Sequence, residues 1–245
     1  MLNYKFVIQY EGTRYRGWQK QTGTENTLQQ KFETLFSRMF GREITVDGAG
    51  RTDSGVHAAG QVFSVKLPWD QSCDQLQREV NRYLPDDIAV RTVEVVPDRF
   101  HARLNAKGKR YEYRILTGGV KDVFARRYAY SIEDRPDVER MRQAAERLVG
   151  KHDFTAFQSN RHLKKSAVRT IYSIDIREDG EELHIVYEGD GFLYHMIRIL
   201  SGTILEAGRG ERSLESIDEA LKSGDRNLAG ELLPGQGLTL LEVFY

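Results

Sequence analysis

The stretch Tyr4-Lys5-Phe6-Val7-Ile8-Gln9-Tyr10 is where the reading of the fold begins. Its β-branched and aromatic residues, followed by the glycine-containing region 11–23, spell a strand and then a loop. The period then changes. Leu28, Phe32, Leu35, Phe36 and Met39 recur at i, i+4, i+7, i+8 and i+11, the apolar stripe of a helix laid against a sheet. Working outward, a glycine-rich loop at 47–60 is followed by a strand at 61–67, a helix around 72–83 and a strand at 88–95.

From about residue 105 a comparable order restarts, with a strand at 110–116, a helix near 136–149, strands at 168–177 and 182–189, and a helix from Gly191. This order predicts an α+β protein made of two related α/β halves, 1–104 and 105–245. Their mainly antiparallel sheets are expected to join side by side, with an active-site cleft between the halves. What the halves share is the order of elements and not residue identity, so they do not form a sequence repeat.

Composition narrows the chemistry. With 245 residues and 40% hydrophobic content the chain can bury a substantial core. No apolar run approaches the ~20 residues of a membrane span, and Met1-Leu2-Asn3-Tyr4-Lys5 leads into a strand pattern, so a cytoplasmic protein without a membrane partner is expected. The single cysteine, Cys73, excludes an intramolecular disulfide and a multi-cysteine metal site. Histidines 57, 101, 152, 162, 184 and 195 show no metal-ligand spacing, so no metal is expected. Gly48-Ala49-Gly50 lacks the third glycine of a dinucleotide fingerprint and no Gly-Lys-Ser/Thr occurs, which argues against a nucleotide cofactor.

Lysine plus arginine and aspartate plus glutamate balance at 36 each, so only local charge can point to a partner. Positive charge gathers at Arg14 and Arg16, from Arg103 to Arg110, at Arg126-Arg127 and from Arg161 to Arg169. Any one of these clusters reads as solvated surface. Several of them in loops can make a shared RNA-facing groove.

The loop 48–60 holds Gly48, Gly50, Gly55 and Gly60 around Arg51-Thr52-Asp53. Glycine permits tight turns and close backbone approach. A carboxylate beside a guanidinium is held ionised, since a nearby positive charge lowers its pKa by ~1–3 units. On loop chemistry alone, Asp53 is either a turn-capping side chain or a charged nucleophile or base.

Motifs decide between these. Gly50-Arg51-Thr52-Asp53-Ser54-Gly55-Val56-His57-Ala58, preceded by Tyr10-Glu11-Gly12-Thr13 and Gly17-Trp18-Gln19-Lys20-Gln21, resembles the tRNA pseudouridine synthase A family. Phe100-His101-Ala102-Arg103, Lys109-Arg110-Tyr111-Glu112-Tyr113, Gly150-Lys151-His152-Asp153-Phe154, Phe192 to Arg198 and Gly237-Leu238-Thr239-Leu240 continue the likeness in family order. It spans essentially the whole chain. Glu11, Ile199 and Thr239 depart from the family's usual residues, and Asp53 does not.

The resemblance implies an isomerase that converts uridine to pseudouridine in tRNA, most often at positions 38–40 of the anticodon arm, without a cofactor. It implies Asp53 as the catalytic carboxylate, Tyr111 as the tyrosine that stacks on uracil, and Arg198 as the basic partner of the aspartate. Arg51 matches the residue that holds the opened nucleotide position. Phosphate contacts are expected from Arg14, Arg16, Lys20, Lys107, Lys109, Arg126, Lys164, Lys165 and Arg169. A homodimer binding one tRNA across both subunits is the expected assembly. A glycosidase would need a second marked carboxylate, and an RNA-binding module would have no use for Asp53.

Overall fold

The computed structural model describes residues 1–120, 122–160 and 166–245. In chain order the elements are β1 (Leu2–Tyr10), α1 (Leu28–Phe40), β2 (Asp47–Gly48), β3 (His57–Leu67), α2 (Cys73–Tyr83) and β4 (Ile88–Val96). Then come β5 (Gly108–Leu116), β6 (Tyr130–Ser131), α3 (Val138–Leu148), β7 (Gly150–Asp153), β8 (Val168–Asp179) and β9 (Glu182–Gly189). The last are α4 (Met196–Gly208), α5 (Leu214–Ser223) and β10 (Leu238–Phe244). The class is α+β, as the alternating periods predict. Two compact units form: Met1–Lys107 together with Leu240–Tyr245, and Gly108–Thr239.

In the first unit the strands run in the order β4-β1-β3-β10, with β2 on β3, and β1 is antiparallel to both β3 and β4. Phe6 of β1 lies opposite Phe63 of β3 with their rings stacked at 4.8 Å, and Phe32 and Phe36 of α1 close over this pair. The helical stripe therefore meets the strand alternation at one aromatic cluster. Thr27 caps α1 by accepting from the Gln30 backbone, and Gly41, in the left-handed region at φ 64°, ends it. β3 begins at His57, four residues before the predicted start at Gln61. Gly60 looks like a loop residue, yet a side chain there would sit 2.3 Å from the Leu241 carbonyl oxygen, so the glycine admits the neighbouring strand β10.

The second unit carries the order β5-β9-β8-β7, antiparallel throughout, with β6 added parallel to β5. Tyr111, Tyr113 and Ile115 of β5 face Tyr187, Ile185 and Leu183 of β9, and all six are buried. Their alternates form polar cross-strand pairs: Arg110 with Glu188, Glu112 with His184 and Arg114 with Glu182. One face of this sheet is thus core and the other polar.

The predicted helix from Gly191 starts five residues later, at Met196. His195 adopts φ 66°, which breaks the helical path before it, so Gly191 and His195 share no helical face with Arg198 and Gly202. Nearly every residue of α4 is buried, the pattern of a helix embedded in a core instead of one with a solvated side. Gly202 does serve close approach. A side chain there would lie 2.2 Å from the Glu231 carbonyl oxygen, and Gly230 in turn would collide with the Thr203 backbone nitrogen at 2.4 Å. Thr203 Oγ1 accepts from the Gly230 backbone at 2.8 Å while donating to the Ile199 carbonyl.

Gly202→Ala should therefore destabilise the protein by about 1–3 kcal/mol, the usual cost of overpacking, because the opposing atom is backbone and cannot rotate away. Denaturant unfolding followed by circular dichroism measures this. An unchanged midpoint would show that the 229–233 segment is free to move off the helix.

Candidate active site

The loop that carries Asp53 is held by the loop that follows β1. The Trp18 amide donates to the Thr52 carbonyl at 3.0 Å, and the Gly55 amide and Ser54 hydroxyl both donate to the Tyr15 carbonyl. A side chain at Gly17, which sits at φ 88°, would lie 2.6 Å from the Thr52 carbonyl oxygen and 3.1 Å from the Asp53 carbonyl carbon. One at Gly12 would overlap the Val56 carbonyl oxygen at 2.0 Å. Two glycines of the 10–21 motif thus let its backbone lie directly on the backbone of 52–56. Within the aspartate loop the Val56 amide donates to the Asp53 carbonyl at 3.2 Å, closing a turn over the residue.

Side chains complete the clamp. The Tyr10 hydroxyl and Thr52 Oγ1 form a buried hydrogen bond of 2.8 Å. Gln61 donates to the Gly50 carbonyl, and the Trp18 indole occupies the space where a side chain at Gly48 would stand. The Gly12 amide donates to His57 Nδ1 at 2.9 Å, which marks this nitrogen as unprotonated and puts the ring proton on Nε2. Glu11 Oε1 lies 3.6 Å from the same nitrogen, but in that tautomer the contact is not a hydrogen bond; the carboxylate instead accepts from the Thr13 amide at 2.9 Å. Burial pushes the Tyr10 hydroxyl up to about 12, against the opposing pull of its bonds to Thr52 and Gln61, so the phenol stays neutral.

Arg51 is exposed and its Nε donates to Gln19 Oε1 at 3.0 Å. Gln19 leads through Gln29 to the buried carboxylate of Glu33, which also takes Lys20 Nζ at 3.2 Å and the Val46 amide. Lys20 is therefore engaged by α1 as well as carried at the loop surface. Arg14 is exposed and reaches Asp87 at 3.4 Å, and Arg16 is exposed on the same loop.

In the second unit Tyr111 is buried, its ring edge-on to Phe192 at 5.5 Å. Tyr113, two residues on, points the same way and donates to the Pro234 carbonyl at 2.7 Å. Burial pushes its hydroxyl well above the ordinary tyrosine range, partly offset by the nearby positive charge of Arg198. Arg198 sits in the first turn of α4, and its Nε donates to the Leu233 carbonyl at 2.7 Å while the Leu233 amide reaches back to the Arg198 carbonyl. The segment 230–237 thereby straps Arg198 and Tyr113 together. Only its final glycine signals this in the sequence.

Arg169 donates to the Ser166 and Val168 carbonyls and lies beside Gly191. Lys107 is exposed, Arg126 is exposed with its guanidinium on the Val123 carbonyl, and Lys109 is half-buried on β5. Lys164 and Lys165 lie outside the described residues. Among the described residues no cluster of three or more histidine, cysteine or acidic side chains could hold a metal, and no helix is long and apolar enough to cross a membrane.

The sequence matches the family described as "tRNA pseudouridine synthase" over residues 6–105 and 144–245. Asp53 and Arg198 fall inside the matched segments, and Tyr111 falls between them. The chain is 47% identical over 230 residues to tRNA pseudouridine synthase A of Bacillus sp. strain KSM-64, covering 94% of each. It is 40% identical to tRNA pseudouridine synthase A 2 of Bacillus cereus over 99% of each, and 43% identical to tRNA pseudouridine synthase A of Listeria monocytogenes over 100% of each. Against a chain of a solved Cbf5-Nop10-Gar1 complex the TM-score is 0.40 at 13% identity, covering 97% of this chain and 49% of that one.

The Tyr10 clamp has a pH signature. Its hydroxyl ionises near 10 in the unfolded chain and at about 12 in the folded one, so its contribution is fully present below pH 10 and is lost as pH rises through 12. The linked free energy is roughly 2–3 kcal/mol. Tyr10→Phe should flatten the fall in stability between these pH values, measured by denaturant titration at stepped alkaline pH. An identical slope in parent and variant would mean that the hydroxyl is not held as described.

Proposed function

Since the chain belongs to the tRNA pseudouridine synthase family, we propose that it isomerises uridine to pseudouridine in tRNA, at positions 38–40 of the anticodon arm, with Asp53 as the reacting carboxylate and no cofactor. In this reaction the C1′–N1 bond breaks, the uracil turns, and a C1′–C5 bond forms, while C5 gives up a proton and N1 gains one. Nothing is oxidised or reduced. The carboxylate acts by addition at C1′ or C6, or by taking the 2′ proton.

The observation that carries the reading is the double-glycine clamp on 52–56: a reacting carboxylate has to be presented from a backbone that does not give way, and Gly12 and Gly17 provide that backing. Tyr111 stacks on the uracil, and Arg198 is the cation paired with the carboxylate chemistry. The target uridine leaves its stack at a cost of a few kcal/mol, and Arg51 holds the opened position. Arg14, Arg16, Lys20, Lys107, Lys109, Arg126, Lys164, Lys165 and Arg169 contact phosphates, positioning the RNA without reading its sequence. The working form is a cytoplasmic homodimer with one tRNA across both subunits, which lets a chain of zero net charge assemble a basic groove.

Asp53→Asn removes the charge and almost no volume, so it should lower single-turnover pseudouridine formation by roughly a thousandfold or more while leaving folding and tRNA affinity within a few-fold of the parent. Pseudouridine mapping of a tRNA transcript after incubation with each protein reads the outcome and the position together. Substantial turnover by the variant overturns the role of Asp53. Modification confined to uridines outside the anticodon arm overturns the assignment of position.

A further inference from the structure

The segment Gly191–His195, between β9 and α4, carries an aromatic surface that the reaction as described leaves unused. Tyr194 is 56% exposed and its ring stacks on the His195 imidazole, with centroids 3.7 Å apart and planes 28° from parallel. His195 is the only non-glycine among the described residues at positive φ, 66°, a conformation unfavourable to a residue with a Cβ. The surroundings hold it there. The Ser159 amide donates to the Tyr194 carbonyl at 3.3 Å, the Met196 amide to Leu193 and the Ile199 amide to the His195 carbonyl.

The neighbourhood is aromatic and basic. Phe192, two residues before Tyr194, touches Tyr111. The Arg169 side chain lies within 4.0 Å of a side chain built at Gly191, at the start of the segment. Flat aromatic surface with a cation nearby is how unpaired bases are received: ring stacking takes the base and a guanidinium takes the phosphate. Flipping one nucleotide also leaves its neighbour without a stacking partner, and a protein ring can replace it.

We propose that the Tyr194–His195 pair is a stacking platform for the base of a nucleotide adjacent to the target uridine, making Tyr194 a positioning residue for the isomerisation. This rests on the function proposed above, with Tyr111 at the target base itself. Of the pair, Tyr194 presents its ring to solvent, while Phe192 lies against Tyr111.

The test uses the full-length protein, an anticodon stem-loop RNA, and versions of that RNA made abasic at each nucleotide flanking the target. Tyr194→Ala should raise KM for the intact RNA about tenfold with little change in kcat, and Tyr194→Phe, which keeps the ring, should match the parent. At one flanking position the abasic RNA should weaken the parent by a similar factor, and Tyr194→Ala should then add nothing. Equal losses on intact and abasic RNAs at every position, or an unchanged KM, overturn the platform. Should Tyr194→Ala fail the thermal-unfolding control, the parent decides alone: indifference to every flanking abasic site also overturns it. A parent that makes no pseudouridine sinks the reaction assignment instead. The platform is then judged separately, from the Kd of Asp53→Asn with and without Tyr194→Ala.

Discussion

The first unit depends on one contact: backbone against backbone where residues 12–18 lie on residues 52–56. Side-chain contacts between loops can slide by rotamer changes. Two main chains held by the amides of Trp18 and Gly55, with no Cβ between them at Gly12 and Gly17, cannot. The sheet below sets the spacing, because Tyr10 closes β1 opposite Ala58 of β3, next to both loops. Its hydroxyl then reaches Thr52, the residue before the aspartate. A buried hydroxyl pair costs stability if either partner is lost, so this bond specifies the loop's position as well as supporting it.

The second unit meets the same demand with a different device. α4 is buried nearly all round, and a polar strap, 230–237, runs along it through Thr203, Glu206 and Arg198 to end on Tyr113. Tyr187 of β9 bonds Ser201 of the same helix at 2.8 Å. These are buried or half-buried polar groups with partners, so they fix which turn of the helix faces which strand without the cost of an unsatisfied donor. Tyr111, Tyr113 and Arg198 are placed by that register.

Charge is distributed by the same logic of local use. Lys20 closes on buried Glu33, while Arg110 and Arg114 bridge to carboxylates on the polar face of the second sheet. Arg14 is exposed and meets the part-buried Asp87 only at 3.4 Å, a contact worth at most a fraction of a kcal/mol. A balanced total charge thus conceals cations of two kinds: those that build the fold and those that remain at the surface.

The class of the protein, the extent of most helices and strands and the glycine-enclosed loop around Asp53 were all legible in the sequence, because period, turn residues and caps act over a few neighbours. The motif at 10–21 was legible as a pattern but not as a clamp, since nothing in a linear spacing says that Gly17 lies on Thr52. The start of α4 was misplaced because Phe192 and Met196 keep a helical spacing through His195, whose left-handed backbone is imposed by its surroundings and contradicts local preference. Gly60 and the 230–237 strap were missed for the same reason: both exist for the sake of a partner remote in sequence, Leu241 in one case and α4 in the other. Local propensity settled the elements. Close approach between distant backbones, which only tertiary structure decides, settled where the loop of Asp53 and the first turn of α4 stand.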